Sequence, residues 1–132
     1  MQEAEIQRLI QLEATTLGCR LFRNQIGKYK LPSGKWLSSG LVVGSSDLIG
    51  WTPVVIAGKS LAIFTAVEVK SETGRASAEQ KLFLKAVESS GGIAILAKSV
   101  EDFTRGIDDF RNQFGLPDVG LRPAPSRPDY AP

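Results

Sequence analysis

At 132 residues the chain has the length of one domain, and 42% hydrophobic with 23% charged residues is the composition of a globular protein rather than a disordered one. It has no histidine and one cysteine, Cys19, which excludes histidine-dependent triads, His-rich zinc sites and internal disulfides, so any catalysis falls to carboxylates, Lys, Tyr, Ser/Thr or a hard metal. The net charge is only +2, yet no acidic residue lies between Glu13 and Asp47 while Arg20, Arg23, Lys28, Lys30 and Lys35 do, a basic interval that fits either a polyanion or a solvated loop.

No stretch approaches the roughly 18 apolar residues of a membrane span, and the opening "MQEAEIQRLI" has neither the basic start nor the apolar block of a signal peptide, so a cytoplasmic setting without membrane partners is expected. Along "EAEIQRLIQLEATTLG", Ile6, Leu9, Ile10, Ala14 and Leu17 recur at helical spacing, and Gly18 supplies the stop. At about 100° per residue Glu3 falls on the face of Ile6 and Ile10, which aims it at the core side. An acidic residue there also suits the helix dipole of a first turn.

"CRLFRNQIG" and "KWLSSGLVVGSSDLIGWTP" read as short strands joined by turns. Between them a basic hairpin or loop, "GKYKLPSGKW", carries Tyr29 and Trp36, whose rings suit either base stacking or cross-strand packing. "LAIFTAVEVK" is apolar on both faces, as a central strand of a covered sheet should be. Its alternation puts Phe64, Ala66, Glu68 and Lys70 on one side, so Glu68 and Lys70 emerge together where the strand leaves its apolar shelter.

A second helix over "SAEQKLFLKAVESSGG" turns Phe83, Leu84 and Val87 to one face, and Ser77 with Gln80 forms an S-x-x-Q capping box. "IAILAK" is a further buried strand, and "SVEDFTRGIDDFRNQFG" a last helix capped by Ser99. The order helix, three strands, helix, strand, helix predicts an α/β fold with a mixed central sheet flanked by helices. The domain is expected over residues 1–115, and the Pro-rich 116–132 as a flexible or extended tail.

Asp47 closes "VVGSSD", about twenty residues before Glu68. A hairpin between them lays Asp47 beside Glu68 in the neighbouring strand. Two adjacent carboxylates repel unless a cation neutralises them, and a hard divalent ion does so while keeping sites for water and a phosphate oxygen. Lys70 then sits where it orients or deprotonates an attacking water or balances phosphate charge, and Glu3 adds a third carboxylate if its helix packs at this end. A cross-strand ion pair at the sheet rim accounts for the same residues.

These pieces, "EAEIQRLI", "FRNQIG", "GSSDLIG", "VEVKSETGRASAEQKLF" and the Gly-rich entry to "IAILAK", resemble the VRR-NUC domains of the PD-(D/E)XK nuclease superfamily, especially its small stand-alone phage and prophage versions. The resemblance implies a restriction-endonuclease-like core and a Mg²⁺- or Mn²⁺-dependent endonuclease that cleaves DNA. It implies selectivity for branched DNA such as Holliday junctions, action as a homodimer and, for a phage protein, work in the bacterial host cytoplasm. It assigns Asp47, Glu68 and the Val69 carbonyl as metal ligands, Lys70 as the catalytic lysine, Glu3 as the helix-borne acid and a further metal residue, Gln80 as a supporting catalytic residue and Arg23 as a phosphate contact, with Lys28, Lys30 and Lys35 as further DNA contacts. Ser46 stands where the family often has Pro. A flap or nicking nuclease and a non-catalytic DNA-binding scaffold are the alternatives.

Overall fold

The computed structural model describes residues 1–113. The expected tail, 116–132, lies outside the described residues, as do the last two residues of the expected 1–115 domain. Helix α1 (Glu3–Thr16) leads into β1 (Arg20–Arg23), the hairpin strands β2 (Gly27–Lys30) and β3 (Trp36–Ser39), and the long strands β4 (Leu48–Ile56) and β5 (Lys59–Val69). Helix α2 (Ala78–Ser89), β6 (Ile93–Ala97) and α3 (Val100–Asn112) complete the described chain. The main sheet has the order β1-β4-β5-β6, antiparallel except for the parallel β5–β6 pair, and β2–β3 forms a separate two-stranded sheet. This is the expected mixed α/β fold, with the basic hairpin inserted between the first two strands of the main sheet.

Local chemistry sets the element ends. Gly18 takes a φ of 82° after α1, a left-handed conformation that costs glycine little, and the Cys19 amide closes the helix by donating to the Ala14 carbonyl at 2.7 Å. The capping box of α2 is present with both reciprocal bonds, Ser77 N–H to Gln80 Oε1 at 2.8 Å and Gln80 N–H to Ser77 Oγ at 3.1 Å. Ser99 caps α3 through the Asp102 amide. Pro53 is tolerated inside β4 because β1 runs alongside only as far as Trp51, leaving the strand beyond with a free edge.

The core lies on one face of the sheet. Ile6, Ile10 and Ala14 of α1 and Phe103 and Ile107 of α3 close over Leu21, Leu48, Val67, Val69, Ile93, Ile95 and Ala97. The opposite face is thinly covered: α2 buries no residue, its Phe83, Leu84 and Val87 are half-buried, and Phe22, Trp51 and Phe64 stay exposed, with Phe22 and Trp51 in tilted ring contact. The expectation of a β5 sheltered on both faces therefore holds only for its second half, since Lys59–Ala62 is exposed and Thr65–Val69 is buried. The register explains this, because β6 pairs with β5 only from Thr65 onward.

Phe103 is fully buried at the centre of the one core. Phe103→Ala is expected to lower unfolding stability by about 3–5 kcal/mol, measured by urea denaturation.

Candidate active site

The β4–β5 register pairs Leu48 with Val67, so the next rung sets Asp47 against Glu68. Asp47 is tied there directly: its Oδ2 accepts a 2.8 Å hydrogen bond from the Val69 amide. On the other side its carbonyl accepts from the Asn24 amide at 2.8 Å, and Glu68 is paired with Leu96 of β6. One rung across the sheet thus carries Asn24, Asp47 and Glu68, at the end where the core gives way to loops.

Glu68 is buried, with 1% of its side chain exposed. Its Oε1 lies 3.5 Å from Lys70 Nζ, while its Oε2 is buried with no hydrogen-bond partner among the described residues. Burial is the main force on its carboxyl, followed by the negative charge of the neighbouring Asp47. Lys70 pulls the other way and loses, so the pKa is pushed up to about 7. A rim ion pair would satisfy its carboxylate. This one leaves an oxygen orphaned and the proton half retained.

Hard oxygen donors with one oxygen unsatisfied are a donor type that could hold a divalent cation, Asp47 and Glu68 being the side chains in reach of one. The third carboxylate expected in the cluster stands apart. No group of three acidic, His or Cys side chains able to hold a metal forms among the described residues. Glu3 is exposed rather than on the core face, and its Oε1 accepts from the Ser71 amide at 3.3 Å. It thereby fastens α1 to the chain just after Lys70.

Asp47 opens onto a depression of about 450 Å³ lined also by Gln7, Arg23, Asn24, Gln25, Tyr29, Ser45 and Gln80. The Gln80 carbonyl is committed to the α2 cap, which leaves its amide nitrogen for the depression. Arg23 and Tyr29 bring a cation and an aromatic ring to the same wall. Lys28, Lys30 and Lys35 are exposed on the hairpin and do not line it.

Asn24 had no assigned role in the sequence. Its Nδ2 donates to Ser45 Oγ at 2.7 Å and to the Ser46 carbonyl at 2.9 Å, and its Oδ1 accepts from the Leu41 amide at 3.1 Å. It therefore shapes the turn that delivers Asp47. The only local signal was an amide side chain directly after a strand, which many turns share.

In metal-free protein the sign of the Glu68 effect is defined. A carboxyl with a raised folded pKa contributes stability fully below its ordinary value of 4.5, and that contribution is lost as pH rises through about 7. From about pH 5 to pH 8 the chain should lose roughly 2–4 kcal/mol from this group, and Glu68→Gln should flatten the slope; urea melts across that range in EDTA measure it.

Comparison with known proteins agrees with the geometry. The VRR-NUC domain model matches residues 3–101, three quarters of the chain and every element from α1 to the start of α3. No curated protein and no solved structure matches. The chain belongs to the VRR-NUC domain family, and so is a nuclease domain of the PD-(D/E)XK type with DNA as its substrate.

Proposed function

We propose, from membership of the VRR-NUC family, that the chain is a Mg²⁺- or Mn²⁺-dependent endonuclease selective for branched DNA such as four-way junctions, with residues 1–115 as its catalytic unit. The observation that carries this reading is the half-buried Asp47 beside the buried Glu68, with Glu68 Oε2 orphaned among the described residues and Lys70 alongside. Asp47, Glu68 and the Val69 carbonyl would hold the ion, which supplies charge neutralisation and a lowered pKa for the attacking water.

The chain's own groups do the rest. Glu68 gives up its retained proton when it serves as a ligand, which couples ion affinity to pH. Lys70, held against Glu68, offers its ammonium to the scissile phosphate or the attacking water. Glu3 secures the chain at Ser71, behind Lys70, as a positioning residue rather than a ligand. The Gln80 amide and Arg23 face the depression where the substrate backbone would lie, and Lys28, Lys30 and Lys35 extend the positive surface beyond it.

A four-way junction presents two strands for cutting and one site cuts one strand, so the reading includes a homodimer. The exposed Phe22, Trp51 and Phe64 give an apolar sheet face on which a second copy would fit. The stand-alone phage type rests on the resemblance alone, and the cytoplasmic setting on the sequence pattern and the resemblance together. Among the described residues no helix is long and apolar enough to cross a membrane.

Two measurements test the reading. Labelled four-way junction, flap and linear duplex are incubated with Mg²⁺, Mn²⁺ or EDTA. Wild type should make metal-dependent paired nicks across the junction, and Lys70→Ala should lose about a hundredfold or more in rate. Cleavage confined to flaps or single nicks would point to a repair nuclease. Tight, salt-sensitive binding without any cleavage would point to a scaffold. Separately, Mg²⁺ at about 100 times its Kd should add roughly 2.7 kcal/mol of stability, seen as a higher Tm, and Asp47→Ala should abolish the rise. An unchanged rise would remove Asp47 from the ligand set.

A further inference from the structure

The β2–β3 hairpin has no account in the fold. Its strands pair only with each other, and none of their eight residues is buried. A two-stranded hairpin alone is marginal in water, so packing does not explain this one. Its base is nonetheless anchored: Ser39 Oγ donates to the Gln25 carbonyl at 3.2 Å, and the Leu41 amide donates to Asn24 Oδ1.

The register divides the hairpin into two faces. Tyr29 opposes Leu37 on one, and Tyr29 lines the depression that holds Asp47. Lys28 opposes Ser38 and Lys30 opposes Trp36 on the other, so the second face is cationic and aromatic. Trp36 is 64% exposed, although Lys30 Nζ lies 6.0 Å from its ring centroid. At that distance the ammonium is at the outer limit of a cation–π contact and leaves the ring largely open. Tryptophan kept for packing is buried.

We propose that this hairpin is a nucleotide-binding arm, in which Trp36 stacks on an unpaired base of the DNA while Lys28, Lys30 and Lys35 hold the flanking phosphates. Charge complementarity supports a polyanion: three lysines occupy the arm, and no carboxylate occurs from residue 14 to residue 46. A second copy of the chain fits this face poorly, because a two-fold contact would set the same lysines against each other. Bases inside a duplex are already stacked on their neighbours, so the ring discriminates for DNA that offers an unpaired base. The inference rests on the nuclease reading and gives it a reason for selecting branched substrates, since Tyr29 ties the arm to the wall beside Asp47.

The test uses the full chain carrying Lys70→Ala, in EDTA, so binding is read without cleavage. Oligo(dT), a flap with an unpaired arm and a blunt duplex are titrated, following DNA anisotropy and tryptophan emission. Oligo(dT) should quench the emission, and Trp36→Phe should remove most of the quench while keeping most of the affinity. Trp36→Ala should weaken oligo(dT) and flap binding by about tenfold and blunt-duplex binding by less than about twofold. Equal weakening of all three DNAs, absence of quenching, or loss of a dimer on sedimentation of Trp36→Ala with DNA affinity intact would overturn the arm. The nuclease reading fails by a different result, the absence of cleavage by wild type.

Discussion

The Val69 amide donating to Asp47 Oδ2 is the contact on which the site depends. It places one carboxylate against another, Glu68, that the sheet has removed from water. Burying a carboxylate is unfavourable unless its charge is compensated, and two side by side compound the cost. Among the described residues the compensation is partial, since Lys70 reaches one oxygen of Glu68 and the other has no partner. The pKa of Glu68 rises accordingly, burial and the charge of Asp47 outweighing the pull of Lys70.

The two faces of the sheet divide the work. The face under α1 and α3 carries the contiguous core and supplies the stability that holds the strands in register. The face with Glu68, Phe64, Phe22 and Trp51 is only lightly covered by α2 and carries the exposed rings. Such a division lets a small domain keep a rigid scaffold while leaving one surface free for a large polyanionic substrate. Thr52 and Thr65 show how closely the core tolerates polar groups, since their hydroxyls, 2.6 Å apart, satisfy each other on adjacent strands.

Several loops that read as connectors hold the site in shape. Asn24 ties the 41–46 turn to the end of β1 with both ends of its amide, and Glu3 fixes α1 to Ser71 across 68 residues of sequence. Gln80 divides its amide between a helix cap and the depression. None of these side chains needs to touch a reacting atom to matter, because a site carboxylate displaced by an ångström no longer meets its partner.

The sequence by itself determined the local elements. The helical spacing of Ile6, Ile10 and Ala14, the Ser77–Gln80 box, the Ser99 cap and the apolar run ending in Glu68 and Lys70 each follow from interactions within a few residues, and each appears where the pattern puts it. The likeness of the Glu68 to Phe83 run to a nuclease family was legible for the same reason, being contiguous. The hairpin spacing already laid Asp47 beside Glu68, and only the tertiary structure decided that Glu3 reaches an amide rather than the carboxylate cluster, that Asn24 organises the turn, and that one sheet face stays open. Those facts depend on register and on contacts between residues 17 to 68 positions apart, where loop closure and packing, not local preference, choose the partner.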